Sequence, residues 1–380
     1  MSKKLTVTSL YSGCGGLDYG FNRLGFETIF ANDIDRDSCK SFENLIKKKA
    51  TCGDIKDYLN ILPKSDVLIG GPPCQSFSLL GKRKKDDPRG KEIFNFIKTI
   101  KFIKPSVILF ENVPGIKNSY IGKKKLTEYI VNYITKLGFN AIIKEFDCTN
   151  YLIPQTRKRQ ILIAWKKNLS EPITPSINKI VSYLKLNLDT EISDLGLEIE
   201  IDKTNIFSAL DDLPVPVLKG NKAKYKYKPK TFYQKYLRDG NNSNNITCHF
   251  ELRMSPLDKE YIKYIKPGGN YKQIPDSLAS PRVMRIKKTG GRTTTYGRLD
   301  PKKFSATINT YFNRPNVGTN YHYSQKRLIT PREALRIQSF PDYFTPEFSS
   351  IRSLCRQIGN AVPPLLSIFL AHSVKSIFRK

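Results

Sequence analysis

The stretch Leu10-Tyr11-Ser12-Gly13-Cys14-Gly15-Gly16-Leu17 decides the fold class. The apolar run from Leu5 to Tyr11 reads as a buried strand, and the pattern that follows, through Phe21, as a helix. Glycines between a strand and a helix let the backbone approach a ligand closely. Asp33 stands twenty residues beyond Gly13, just after a second strand at Glu27 to Ala31, where an acidic side chain can take ribose hydroxyls. Alone, this turn points to a nucleoside cofactor. A tight turn without a ligand is the plain alternative, and a nicotinamide dinucleotide is the rival. The pattern is Gly-x-Gly-Gly and lacks the last spaced glycine of the dinucleotide fingerprint, which weakens the nicotinamide reading.

Working outward, strand and helix signals keep alternating. Asp35 to Leu45, Glu92–Ile103 and Leu126–Leu137 read as helices; Val67 to Ile69, Val107 to Phe110 and Ala141 to Phe146 read as short apolar strands. This alternation predicts an α/β fold with a doubly wound, mostly parallel sheet, in which ligands sit at the carboxyl ends of the strands. After Trp165 the texture changes. The chain becomes rich in Lys, Asn, Tyr, Pro and Gly, with weak periodicity, and reads as a second, loop-rich domain. Within it, Lys222 to Lys230 interleaves aromatics with cations, a composition that suits phosphate contact and stacking as well as a solvated segment. Regular pattern resumes with helices at Pro331–Ser339 and Leu365–Phe378. The expected organisation is a first domain at 1–165, a second, loop-rich domain at 166–327, a helical block at 328–354 and a C-terminal segment at 355–380.

Charge narrows the partner. Sixty-four Lys plus Arg against 34 Asp plus Glu leaves the chain at +30, a field that favours a polyanion, nucleic acid first. Seven scattered cysteines without a C-x-x-C pair suit free thiols in a reducing compartment. With three histidines, a zinc site is not expected. No apolar stretch approaches the roughly 18–20 residues of a membrane span, and no signal-peptide pattern opens the chain. The expectation is a cytoplasmic, nucleoid-associated protein with no metal and no membrane partner.

Four further segments carry chemistry. Gly70-Gly71-Pro72-Pro73-Cys74-Gln75-Ser76-Phe77-Ser78 follows an apolar strand, and its stiff loop holds a thiol at the rim of the crevice, which core packing has no reason to demand. The next strand ends in Glu111-Asn112-Val113, placing a carboxylate beside Cys74. Gln155-Thr156-Arg157-Lys158-Arg159 sets two arginines on one face if extended. Gln357-Ile358-Gly359-Asn360-Ala361-Val362-Pro363-Pro364 is another loop entering a helix.

Taken in order, these segments resemble the signature blocks of the DNA (cytosine-5) methyltransferase family of bacterial restriction-modification type. The resemblance covers the Gly-rich turn at 11–17, Asn32-Asp33-Ile34-Asp35, Gly53-Asp54-Ile55, Pro72-Pro73-Cys74-Gln75 and Asp87-Pro88-Arg89-Gly90. It continues through Glu111-Asn112-Val113, the Gln155 to Arg159 segment, Leu328 to Asp342 and the Gln357 block. The region from about 166 to 294 carries no block, which is where that family keeps its variable recognition domain. One departure stands out: Asp33 and Ile34 occupy positions where the family usually has Glu and a bulky residue.

The resemblance implies a Rossmann-like, S-adenosylmethionine-dependent methyltransferase acting on cytosine in double-stranded DNA. Cys74 is then the nucleophile on C6, and Glu111 neutralises charge at N3. Arg159 orients Glu111 and the base, while Arg157 contacts the DNA backbone. It assigns the cofactor to Tyr11, Gly13, Gly15, Gly16, Leu17, Asp33, Ile34, Asp54, Ile55 and Pro73, with Asn360, Ala361 and Val362 closing the pocket. It assigns DNA contact to Gln75, Ser76, Ser78, Lys82, Arg83, Lys84 and Lys85. A cognate restriction endonuclease acting on the same site is the implied functional partner, and the enzyme is expected to be monomeric. An RNA cytosine methyltransferase and a catalytically silent DNA-binding protein are the competing readings.

Overall fold

The computed structural model describes residues 4–73, 91–187, 204–241 and 243–379. In chain order the first elements are β1 (Thr6–Leu10), α1 (Gly16–Arg23), β2 (Glu27–Asp33), α2 (Arg36–Ile46) and β3 (Thr51–Cys52). They are followed by β4 (Val67–Gly70), α3 (Lys91–Ile103), β5 (Val107–Asn112), β6 (Tyr120–Ile121), β7 (Lys124–Lys125), α4 (Leu126–Lys136), β8 (Phe139–Asp147), β9 (Gln155–Thr156) and β10 (Lys158–Lys166). Seven of these strands form one sheet in the order β3-β2-β1-β4-β5-β10-β8. β1 lies parallel to both β2 and β4, β4 is parallel to β5, and β10 runs antiparallel to β5 and β8.

This is the expected α/β fold with a mostly parallel sheet, and its topology locates the site. The chain leaves β1 toward β2 on one side and later enters β4 on the other, so the order reverses between β1 and β4. Crevices at such switch points, beyond the carboxyl ends of the strands, hold ligands. Both the Gly13 turn and the Gly71 loop start there.

Local chemistry explains the elements. Asp35 caps α2, accepting from the Ser38 amide at 2.9 Å, and Lys47 ends that helix in the left-handed region. The apolar face formed by Leu68, Ile108, Phe110, Phe96 and Ile100 is buried with Leu10 and Ile130 in one core. The last helix, α12 (Pro364–Ile377), packs on α1 closely enough that a Cβ on Gly20 would meet the Ser367 backbone at 2.2 Å. The Gly20 amide donates to Ser367 Oγ at 2.7 Å.

Two findings differ from the sequence expectation. β10 had no counterpart in it: seven successive residues, Arg159 to Trp165, are buried, so the period-2 alternation that marks a half-exposed strand is missing. The stretch read as loop-rich contains helices: α5 (Ile177–Asn187), α6 (Ile206–Leu210), α7 (Phe232–Arg238), α8 (Pro256–Tyr264) and α9 (Pro281–Thr289). Ser255-Pro256 and Ser280-Pro281 each put a capping serine before a proline at the first helical position, a start signal that the Lys- and Asn-rich composition obscured.

The chain divides into two compact units. One comprises Met1–Asp147, Lys158–Ile180 and Pro364–Lys380; the other comprises Cys148–Arg157 and Val181–Pro363. The division departs from the boundary expected at 165/166: residues 148–157 join the second unit, because β9 pairs with a strand at Ser305–Ala306, while β10 belongs to the main sheet. The Gln357 to Pro363 block also lies in the second unit, so only the segment from Pro364 returns to the first. No helix among the described residues is long and apolar enough to cross a membrane.

Candidate active site

In the first unit, the glycine turn is held open by Asp33. One oxygen of its carboxylate accepts from the Gly13 amide at 2.8 Å, and the other accepts from the Asp35 amide at 2.9 Å. Gly13 has φ +55, and a Cβ there would meet nothing within 4 Å, so the turn faces open space. Gly15 has φ +88 and backs onto α2, where a Cβ would lie 2.9 Å from the Ile46 side chain. Gly16 and Leu17 open α1 and are buried. Ile34, just past the end of β2, is 73% exposed, a large apolar side chain presented to solvent beside the turn.

Carboxylates converge on this turn. The Tyr11 hydroxyl donates to Glu92 Oε2 at 2.8 Å. Burial raises its pKa, and so do the nearby charges of Glu92, Asp54 and Asp33. Asp54 accepts from the Lys56 amide at 3.0 Å, and that bond holds its carboxyl below the usual range. An open, acidic cradle with an exposed apolar flank fits a cationic nucleoside. Lys56 stands among these carboxylates as well, pairing with Asp54 at 3.2 Å and with Glu92 at 3.8 Å. Ile55 differs from expectation: its side chain is buried in the core beside Leu10 and Phe96, so only its backbone is left to face a ligand. Asp18, beneath the turn, is a feature the sequence did not reveal. Wholly buried in α1, it accepts from Ser9 Oγ at 3.0 Å, and burial raises its carboxyl to about 7.

The second half of the site lies at the ends of β4, β5 and β10. Glu111 Oε1 and Arg159 Nε form an ion pair at 2.6 Å, and both side chains are nearly buried. Sheet register produces the pairing: Ile161 stands opposite Glu111 on antiparallel β10, which brings Arg159 past the end of β5. Arg159 Nη1 also donates to the Lys158 carbonyl at 2.8 Å, which fixes the guanidinium. The other carboxylate oxygen, Oε2, lies over Gly71, where a Cβ would approach to 2.9 Å. Asn112 ties the loop to the strand, its Nδ2 donating to the Pro72 carbonyl at 3.0 Å. Pro73, half-buried, is the last described residue before Cys74. Cys74, Gln75, Ser76, Ser78, Lys82, Arg83, Lys84 and Lys85 lie outside the described residues.

Arg157 requires a correction. It is fully buried in the second unit, and its guanidinium donates to the carbonyls of Ile308 (3.3 Å), Gly359 (3.0 Å) and Ala361 (2.9 Å). A side chain so enclosed cannot reach a phosphate; it joins the ends of two distant segments. Arg157 falls in the break between β9 and β10, so it and Arg159 are not two residues of one continuous strand, which would share a face. Asn360, Ala361 and Val362 lie in this second unit, at the end of a helix spanning Ile351–Asn360, and Arg157 also holds the Asn360 carbonyl.

Five other titratable groups are unsuited to chemistry at neutral pH. Burial pushes the thiols of Cys14, Cys39 and Cys355 up to about 12, far from thiolate at neutral pH. Burial lowers His322 and His372 to about 4, so both are neutral at pH 7. Among the described residues, no group of three His, Cys, Asp or Glu side chains is arranged to hold a metal ion.

A family model described as C-5 cytosine-specific DNA methylase matches residues 5–376. The type II methyltransferase M.FnuDI of Fusobacterium nucleatum is 30% identical over 98% of this chain and 94% of its own length. M.Eco47II of Escherichia coli is 30% identical over 99% of this chain and 80% of its own. Among solved structures, a DNA modification methyltransferase encoded within an E. coli prophage superposes with a TM-score of 0.70 at 24% identity, covering 99% of this chain and 100% of that one.

Proposed function

The chain belongs to the C-5 cytosine-specific DNA methylase family, and from that premise we propose a covalent mechanism built on Cys74. It is a DNA cytosine-5 methyltransferase of the restriction-modification kind. The finer reading is that it methylates C5 of a cytosine flipped out of a specific duplex sequence, with S-adenosylmethionine as donor. Its recognition of that sequence is assigned to the domain at 166–327, whose stretch from about 166 to 294 carries none of the family blocks.

The observation that carries the mechanism is the Glu111–Arg159 pair beside the Gly71–Pro73 loop. Cytosine C5 is a poor nucleophile until the ring is activated, and addition of the Cys74 thiolate at C6 activates it. Negative charge then builds toward N3. Glu111, held through Oε1 by Arg159, keeps Oε2 on the Gly71 side, where it can hold or deliver a proton at N3. Gly71 is required because a side chain there would displace that oxygen. The reaction needs the base out of the stack, since neither C6 nor N3 of a paired cytosine is accessible to the two residues together.

The acidic cradle around Gly13, Asp33, Ile34 and Asp54 would hold S-adenosylmethionine, with carboxylates facing its positive charge and Ile34 against the adenine. When bound, that cofactor supplies an electrophilic methyl group. Once C5 carries the methyl group, a base takes the C5 proton, the C5–C6 double bond re-forms and the C6–S bond breaks, releasing the Cys74 thiolate.

Two measurements test the reading. Cys74→Ser should abolish methyl transfer to duplex DNA while leaving S-adenosylmethionine affinity within about twofold, since the cradle is built from other strands. Duplex containing 5-fluorocytosine should trap the wild type as a denaturant-stable adduct, because no C5 proton can leave. Normal turnover by the variant, or no adduct from an active enzyme, would refute covalent catalysis.

A further inference from the structure

We propose that the strap Lys222–Lys230 is a phosphate rail: a preformed row of cations that grips the backbone of duplex DNA without regard to base sequence. The inference rests on the duplex-DNA reading above and adds to it a named binding surface.

The sequence Lys222-Ala223-Lys224-Tyr225-Lys226-Tyr227-Lys228-Pro229-Lys230 allows two uses, stacking of unpaired bases on the tyrosines or contact of phosphates by the lysines. The structure separates them. Exposure alternates along the strap: all five lysines are exposed, Ala223 is buried, and Tyr225, Tyr227 and Pro229 are half-buried. The Tyr225 ring is covered by the Arg238 guanidinium at 3.5 Å, and its hydroxyl donates to Asp342 at 2.7 Å. The Tyr227 ring is covered by Lys230 at 4.1 Å. Each tyrosine ring is therefore half-buried with a cation of the protein over a face, and the exposed side chains of the strap are the five lysines. A surface without a free aromatic platform suits a stacked duplex and does not suit single-stranded nucleic acid.

The strap is also fixed in place. Ala223–Lys224 pairs antiparallel with Asn245–Ile246. Arg238 donates to the Tyr227 carbonyl at 2.9 Å, the Lys226 amide to the Asp212 carbonyl at 3.1 Å, and the Lys230 amide to Gln234 Oε1 at 2.8 Å. The carboxylates beneath it, Asp212 and Asp342, are taken by Arg336, with Arg238 also on Asp212. Among the described residues, no carboxylate forms a salt bridge with any of the five lysines. Five cations held within nine residues repel one another, and among the described residues that repulsion is eased only by the Asp211 carbonyl at Lys226 and the Tyr227 ring at Lys230. A polyanion relieves it, and a row already ordered loses little conformational entropy on binding.

The test uses the full-length protein and the triple variant Lys222→Gln, Lys224→Gln, Lys228→Gln. Lys226 and Lys230 are kept, because the first donates to the Asp211 carbonyl and the second covers Tyr227. Affinity is measured on a cognate and a random duplex across a salt series. Each lost phosphate contact removes about 0.9 from the slope of log K against log salt, so the slope should become shallower by roughly 2 to 3. Affinity near 0.1 M salt should fall at least about tenfold, equally on both duplexes, with the single-turnover methylation rate at saturating DNA unchanged. An unchanged slope in the variant, beside a wild type that binds and methylates duplex, overturns the rail alone. A loss confined to the cognate duplex, or seen on structured RNA and not on DNA, overturns it as well. A wild type that neither binds nor methylates duplex overturns the DNA reading, and the rail with it.

Discussion

Arginine meets carboxylate in both units, and the surroundings of the two pairings differ. In the first, Glu111 and Arg159 meet at the rim of the sheet with side chains 11% and 9% exposed, and one carboxylate oxygen points away from the pair, over a glycine. In the second, Arg336 lies between Asp212 and Asp342, all three sealed from solvent. Burial opposes the charge on Arg336, but its two aspartates outweigh that and hold it protonated well above the usual range. Arg327 does the same for buried Glu333, holding its carboxyl far below the usual range against the effect of burial. In the sealed network all four aspartate oxygens accept from Arg336, so its contribution is to lock the turn after α10 (Pro331–Ile337) onto α6 and α7. The rim pair keeps an oxygen available, and availability is what proton chemistry needs.

That contrast can be broken at either end. Glu111→Gln should lower the methylation rate about 10²- to 10⁴-fold, the range for a lost general acid, with the melting temperature almost unmoved. A large stability loss with modest kinetic change would make Glu111 a structural residue like Asp212. Arg336→Met should do the reverse. Breaking a buried pair leaves uncompensated charge and costs about 3–5 kcal/mol, read as a lower denaturant midpoint, while any protein that remains folded keeps its S-adenosylmethionine affinity.

Gly71→Ala sharpens the comparison without touching a charge. A methyl 2.9 Å from Glu111 Oε2 must push that oxygen aside, and a misplacement of about 1 Å costs on the order of 10²-fold in rate. The loss should appear in kcat with DNA affinity retained; a wild-type kcat would show that Oε2 has room to move without consequence.

The smallest expected effect comes from Asp18, a buried carboxylate that no cation matches among the described residues. Its folded pKa, about 7, lies above the ordinary 3.8, so the folded chain retains a proton that the unfolded chain releases between these values. Its contribution to stability is therefore fully present below about pH 4 and is lost as pH rises through about 7. Asp18→Asn, which cannot ionise, should gain in melting temperature relative to wild type between pH 5 and pH 8. A difference that stays constant over that range would place the carboxyl's ionisation elsewhere.

How much of this was legible is clearest from Arg157 and Arg159. Both stand in one short motif, and the sequence marks them as a pair. Only the change of partner strand between Thr156 and Lys158 separates them, sending one to a carboxylate and the other to a set of backbone carbonyls. Asp33 and Gly13 were visible from spacing, since a strand–turn–helix repeats its geometry wherever it occurs. Gly71 was visible only as one of two adjacent glycines; its role depends on a carboxylate forty residues away.

The sequence by itself determined the alternating architecture, the acidic residue at the end of β2, the Gly71 turn after β4 and the basic composition. Each is a local property of residue order, spacing or composition. Tertiary structure alone decided that β10 inserts between β5 and β8 and so delivers Arg159 to Glu111. It alone decided that the tyrosines of the lysine strap face inward and that Asp18 is wholly enclosed. Those outcomes depend on which distant segments pair and what covers a side chain, and a one-dimensional pattern carries neither, because pairing and burial are set by the whole chain folding at once.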